Sequence, residues 1–63
     1  MRMMIDPPGG WKYGFPKYVP MQEYAVIAEY SKEEFEAWLV SNGYPEKDKE
    51  IGWKHCRYMT VQE

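Results

Sequence analysis

The 63-residue sequence lacks the residues that commonly staple short chains together. It has one cysteine, Cys56, and one histidine, His55, so an internal disulfide cannot form and an ordinary zinc site is excluded. Below about 70–80 residues a single hydrophobic core supplies little net stability. We therefore expect one small domain over residues 1–63 that depends on aromatic packing and self-association and binds no cofactor.

Long hydrophobic runs are also missing. The longest apolar run covers residues 24–28, and residues 1–5 are too few for the apolar region of a signal peptide. These absences predict a cytoplasmic protein without a membrane partner, in a compartment where an unpaired thiol is stable.

Charge of one sign does not dominate, since the formal net charge is −2. Residues 1–20 carry three basic side chains against one acidic, a balance of +2, whereas residues 21–50 carry three against eight, a balance of −5. Such a dipolar distribution can orient a partner. The dense basic stripe typical of proteins that bind duplex DNA is missing.

Aromatic residues are abundant, with three Trp, six Tyr and two Phe. They alternate with cations in residues 11–18, and this pattern allows three interpretations. The rings could stack on bases while lysines meet phosphate, they could anchor a protein partner, or they could plug the core with the lysines in water. The candidate binding residues are Trp11, Lys12, Tyr13, Phe15 and Lys17, joined by Arg57.

The most clearly specified element is a helix over residues 31–42. Ser31 and Glu34 form a capping-box pattern, and Phe35, Trp38 and Leu39 lie on one helical face. Gly43 then supplies a left-handed residue, and a proline two positions later prevents continuation.

The other segments carry weaker signals. Residues 6–10 predict a rigid turn and residues 11–19 an extended segment. Residues 23–30 fit both a strand and a helix, and the Tyr, Val and Ile content favours a strand. The charged run 46–50 predicts a solvated connection. Residues 53–61 predict a strand with 53, 55, 57, 59 and 61 on one face.

The candidate catalytic and metal-binding patterns are weak, and we therefore expect that the protein is not an enzyme. His55 and Cys56 are adjacent, and neighbouring residues on a strand point to opposite faces, so they are a poor nucleophile–base pair. Glu46, Asp48 and Glu50 lack the glycine and the bidentate glutamate of a calcium loop.

Together these elements predict an α+β fold: a small antiparallel sheet of two or three strands packed on helix 31–42, with the Pro/Gly-rich N-terminal segment over the remaining edge. A homodimer is expected because edge strands and spare rings need cover. The expected core is apolar and mostly aromatic: Trp11, Val26, Ile27, Phe35, Trp38, Leu39, Tyr44 and Trp53.

Three blocks of the sequence, residues 6–17, 38–45 and 56–58, resemble a group of small, uncharacterised tailed-bacteriophage proteins. The resemblance implies an accessory protein of an infected bacterium's cytoplasm and transfers no activity or site residue. The function that we expect is that of a non-catalytic module, which binds and modulates a host or phage protein through aromatic residues and the acidic flank of the helix. The alternative is a binder of nucleotides or single-stranded nucleic acid through residues 11–18.

Overall fold

A three-stranded antiparallel sheet forms one layer of the molecule, whose computed structural model describes residues 1–62. The central strand, β1 (Arg2–Asp6), pairs with β2 (Lys17–Pro20) on one side and with β3 (Arg57–Val61) on the other. The predicted α+β class is therefore confirmed. The sequence interpretation did not include β1, the strand that joins the other two.

Helices cover one face of this sheet. Within residues 1–62 they are α1 (Met21–Ile27), α2 (Lys32–Ser41) and α3 (Lys49–Lys54), with short 3₁₀ helices at Gly10–Tyr13 and Glu46–Asp48. The buried core joins Met3, Ile5 and Val19 of the sheet to Ile27 of α1 and Phe35 of α2. The fold thus has two layers, and the opposite sheet face carries no helix.

The predicted helix 31–42 is confirmed as α2 with its caps. The Ser31 hydroxyl accepts a hydrogen bond from the Glu34 amide at 3.2 Å, and the Glu34 carboxylate accepts one from the Ser31 amide at 2.8 Å. At the other end Asn42 is the C-cap and Gly43 takes φ +108°. Local side chains therefore determine this helix, as the capping rules require.

The predicted strand over residues 23–30 is wrong, because this segment forms α1. Met21, Tyr24 and Ile27 repeat at helical spacing and pack in or against the core, while Val26 is 58% exposed. The apolar residues at alternate positions therefore do not share one face. The helical alternative, which the stripe of small and apolar residues also fitted, is the correct one.

The predicted connection 46–50 and the start of the predicted strand at residue 53 are also wrong. Residues 46–48 form a 3₁₀ helix, α3 follows directly, and the strand begins at Arg57. The only buried residue of α3 is Gly52. A Cβ there would lie 2.6 Å from Cε2 of Tyr44 and 2.9 Å from Cδ1 of Leu39, so this helix packs through its backbone and shows no apolar stripe.

The composition of the core differs from the prediction. Ile27, Phe35, Leu39 and Tyr44 are buried as predicted, and Trp38 packs partly buried against them. The predictions for Val26, Trp53 and Trp11 are wrong, because all three side chains are exposed, Trp11 by 75%. Met3, Ile5, Val19 and Phe15 complete the core instead.

Of residues 11–19, which were predicted to be extended, only those from Lys17 onward form a strand, and the prediction is wrong for residues 11–13 because they belong to the 3₁₀ helix. This helix is flanked by Gly9 at φ +66° and Gly14 at φ +93°, a left-handed conformation that favours glycine. The Tyr44 hydroxyl donates a hydrogen bond to the Pro8 carbonyl at 2.7 Å. This bond holds the turn against the end of α2.

Aromatic rings form a continuous chain through the interior. Neighbouring ring centroids lie 5.7 to 6.3 Å apart in tilted, edge-on or stacked pairs, the spacings at which ring pairs attract. In order, the chain is Tyr13, Tyr44, Phe15, Trp38, Phe35, Tyr58 and Tyr24. Ring packing thus connects the N-terminal segment with α2, β3 and α1.

Candidate functional site

The predicted aromatic and basic segment is divided between surface and core. Trp11 and Lys12 are exposed, with Lys12 Nζ 5.8 Å from the centroid of the Trp11 ring. Tyr13 is partly exposed, but its ring contacts Tyr44. Phe15 is 4% exposed. Phe15 therefore acts as a core plug, and its ring is not accessible to a ligand.

The two remaining predicted cations do not join this surface. Lys17 lies on edge strand β2 opposite Ile5, on the helix-covered side of the sheet. Arg57 lies on the other edge strand opposite Asp6, with its guanidinium 3.2 Å from the Asp6 carboxylate. Because they occupy opposite edges and opposite faces, Lys17 and Arg57 do not form one basic cleft.

The uncovered side of the sheet presents an apolar surface, which we call the outer sheet face. Its middle row is Tyr18, Met4 and Met59, since Met4 pairs with both of its neighbours across the sheet. Its other apolar members are Pro20 and Val61, which pair with Arg2. Met59 is 60% exposed and Tyr18 47%.

Charged groups border the outer sheet face at both ends. The Arg2 guanidinium lies 5.3 Å from the centroid of the Tyr18 ring, a cation–π contact. The Asp6–Arg57 ion pair closes the other end of the strands. An apolar centre inside a polar border is the arrangement found at protein interfaces.

The two edges of the sheet are not equivalent. Strand β2 ends in Pro20 and passes directly into α1, and a proline on an edge discourages pairing with another chain. Strand β3 has five residues without proline or glycine, and four of them are exposed. Its free edge is therefore the better template for strand pairing within the described part of the chain.

A concave site lies on the helix side of the sheet, between α1, α2, α3 and β3. Its volume is about 260 Å³. Five aromatic side chains and two aliphatic ones line it: Tyr24, Tyr30, Phe35, Trp53, Tyr58, Ile27 and Ala28. We call it the aromatic cup.

The His55–Cys56 pair lies outside the strand on which it was predicted. His55 is the C-cap of α3, and Cys56 precedes β3 with its thiol 3.8 Å from the Arg57 carbonyl oxygen. Burial raises the pKa of the Cys56 thiol to about 11, although hydrogen bonds from nearby groups oppose this rise. The thiol is therefore protonated at neutral pH, unlike the thiolates that act as nucleophiles.

Two further properties of residues 1–62 concern metal ions and membranes. The acidic, cysteine and histidine side chains there form no group of three or more that could hold a metal ion. None of the helices in this part of the chain combines the length and apolar character needed to cross a membrane.

Residues 1–62 thus form a two-layer α+β unit with an open sheet face, a β3 edge without proline or glycine, and the aromatic cup. None of the protein families, curated proteins or solved structures compared with this chain matches it.

Sequence interpretation missed most of these surface residues for identifiable reasons. Met4 belongs to a strand that was not predicted, and Tyr24 was placed on a strand that is a helix. The alternation of Met3 and Ile5 with Arg2, Met4 and Asp6 was the available signal for β1, because alternate residues of a strand share one face.

Proposed function

We propose that this chain is a non-catalytic protein-interaction module that dimerises through β3 and binds its partner on the outer sheet face. The observation that carries the proposal is the open apolar row of Tyr18, Met4 and Met59. Exposed apolar patches that are bordered by polar residues mark interaction sites when they are large enough.

The size of the sheet argues for two copies. Three strands at a spacing of about 4.8 Å and five residues at about 3.3 Å each give a face of only about 240 Å². A stable interface buries about 800 Å² per partner. Joining two copies at β3 makes a six-stranded sheet about 29 Å wide and doubles the outer sheet face to about 480 Å², which is closer to that size but still below it.

The β3 sequence suits antiparallel pairing with itself. A two-fold axis at Met59 would set Arg57 opposite Val61 of the second copy and Tyr58 opposite Thr60. No like charges would then face each other, and β-branched and aromatic residues would pair across the axis. The partner of the widened face would be an apolar protein surface such as the buried side of an amphipathic helix.

The resemblance to small bacteriophage proteins supplies the biological setting of this proposal. The partner would be a host or phage protein of the bacterial cytoplasm, whose activity the module would change by binding.

Sedimentation velocity at micromolar concentration tests the dimer. The unmodified chain should sediment as a dimer, and Met59→Lys should sediment as a monomer because two lysines would face each other across the axis. Tyr18→Lys is the matched control, since it flanks Met4 in the same row but on the far edge, and it should remain dimeric. A purely monomeric unmodified chain would refute the dimer.

Capture from a bacterial lysate tests the partner face. A protein retained at physiological salt by the unmodified chain should be lost with Tyr18→Lys, which alters the face without altering the β3 edge. If retention of every captured protein survives Tyr18→Lys, the outer sheet face is not the docking surface.

The nucleic-acid alternative now rests on a smaller surface. Trp11 is a free stacking platform with Lys12 beside it, whereas Phe15 is withdrawn into the core. Trp11 fluorescence, compared with a Trp11→Leu variant, should change on titration with nucleotides or oligonucleotides, and less so at high salt. Absence of any response at either salt concentration would retire this alternative.

A further inference from the structure

The aromatic cup differs in chemistry from the outer sheet face. None of its lining residues is Asp, Glu, Lys or Arg. Burial raises the pKa of the Tyr58 phenol, as does the nearby Cys56 thiol, so this phenol stays neutral at physiological pH. The cup therefore offers ring faces and phenol groups but no formal charge to a ligand.

The rings of the cup are inclined to one another. Tyr24 and Tyr58 make an angle of 59° at a centroid separation of 5.8 Å, and Phe35 and Tyr58 make an angle of 60° at 6.3 Å. A flat ligand such as a base stacks best between parallel faces. Tyr24, Phe35 and Tyr58 provide no such parallel pair, so their arrangement does not favour a flat ligand.

The Trp53 ring already contacts a cation, Lys32, which is not one of the residues that line the cup. Lys32 Nζ lies 5.5 Å from the centroid of the Trp53 ring. Its charge is balanced by Glu36 at 3.0 Å and by Glu50 at 3.7 Å. The negative face of an aromatic ring attracts ammonium groups, whereas an anionic ligand would find no cation among the lining residues.

We propose that the aromatic cup binds a small organic cation of the quaternary ammonium class, with its trimethylammonium group against Tyr24, Trp53 and Tyr58. Aromatic rings arranged around a bulky, weakly hydrated cation are the recurrent solution for this chemistry. The cup volume of about 260 Å³ leaves room for a short chain beyond the head group. The cup and the outer sheet face lie on opposite sides of the sheet, so this proposal does not depend on the proposed function.

The probe is choline, and the control ligand is 3,3-dimethylbutan-1-ol, in which a neutral carbon replaces the ammonium nitrogen. Proton NMR of the ligand methyl groups should show an upfield shift from the rings when choline is titrated with the full chain. Calorimetry should give choline about tenfold or more tighter binding than the neutral alcohol, the size of a partly desolvated cation–π interaction. Equal affinities would overturn the proposal in favour of a merely apolar cavity, and so would absence of a saturable shift for choline.

Substitutions in the aromatic cup test whether choline binds there. Trp53→Leu and Tyr58→Leu should abolish the choline shift, while Tyr58→Phe should retain it because the ring is kept. Tyr18→Leu is the control, since Tyr18 is 47% and Tyr58 45% exposed but they lie on opposite sheet faces. Circular dichroism checks that each variant is folded. If Tyr58→Leu does not fold, the result for Trp53→Leu alone tests whether choline binds in the aromatic cup. Equal loss with Tyr18→Leu, or full retention with Trp53→Leu, would refute the assignment.

Discussion

The two faces of the sheet are built from the same three strands but meet different surroundings. Ile5 is completely buried under the helices, while Met59, one strand away on the other side, is 60% exposed. The central strand carries apolar residues on both faces, with Met3 and Ile5 on the inner face and Met4 on the outer sheet face. The comparison teaches that the residues of a strand do not tell which of its faces the same chain will cover.

The position of the helices explains why one face of the sheet is buried and the other is exposed. The chain has one layer of helices, and α1 and α2 place Ile27, Phe35 and Leu39 on the inner side. The outer side receives only the Arg2–Tyr18 contact and the Asp6–Arg57 ion pair, among the contacts described above. Residues 1–62 therefore supply a covering layer for one face of the sheet only.

The largest expected effect contrasts the two faces directly. Ile5→Ala should lower the free energy of unfolding by about 3 kcal/mol, because it leaves a cavity in the packed face. Met59→Ala should lower it by less than about 0.5 kcal/mol, the usual limit for exposed positions. Denaturant unfolding, at concentrations too low for association, measures both. Equal losses would mean that the outer sheet face is covered in the isolated chain.

A smaller effect tests how closely the helical layer is packed. Gly52→Ala should destabilise the fold by about 2 kcal/mol, since overpacking against the Tyr44 ring and Leu39 outweighs the better helix propensity of alanine. Lys54→Ala, at an exposed position of the same helix, should be nearly neutral. Thermal unfolding of the two variants provides the comparison, and a stabilised Gly52→Ala protein would contradict it.

The third expected effect concerns the N-terminal turn. Tyr44→Phe removes the hydrogen bond to the Pro8 carbonyl while keeping the ring, so the loss should be about 1 kcal/mol. Amide hydrogen exchange in residues 8–15 should accelerate in this variant. Tyr18→Phe, on the outer sheet face, should leave exchange in that segment unchanged. Unaltered exchange in Tyr44→Phe would show that ring packing alone holds the turn.

The smallest expected effect is a pH dependence on the helix side. Burial raises the pKa of the Cys56 thiol from its ordinary 9.0 to about 11. Between these values the unfolded chain has lost the proton that the folded chain keeps, so stability should fall as pH rises from about 9 to about 11. Below pH 9 this thiol should contribute no pH dependence.

Unfolding midpoints measured across this range should fall less steeply for Cys56→Ala. A residual fall is expected to begin near pH 10, because burial also raises the pKa values of Tyr58 and Tyr44. An identical slope in Cys56→Ala would show that the thiol is solvated.

The sequence predicted those parts of the fold whose signals are local. Helix α2 carries its cap at Ser31 and its stop at Gly43 within the segment itself. The prediction that Arg57, Met59 and Val61 share one face of a strand was likewise correct, because alternate residues of a strand lie on the same face. These elements needed no knowledge of distant contacts.

Tertiary context determines the parts that were missed. The sole buried residue of α3 is a glycine, so its packing surface has no side chain to recognise. In α1, burial of Tyr24 and Ile27 together with exposure of Val26 selects the helix over the strand. Strand β1 is defined by partners near both ends of the chain.

Of the candidate site residues, Trp11 and Lys12 lie together on the surface, whereas Phe15, Lys17 and Arg57 are separated by burial or by the sheet. A segment's alternation of rings and cations cannot reveal this division. It depends on the Gly9 and Gly14 turns, which direct neighbouring rings to different environments.

The pairing of Arg2 with Val61 also governs when the protein can acquire its shape during synthesis. These partners are separated by 59 positions, from residue 2 to residue 61. Strand β1 therefore waits for β3, and a ribosome must release the residues from 2 to 61 before the middle of the sheet gains its second neighbour. Until then one hydrogen-bonding edge of β1 remains unpaired.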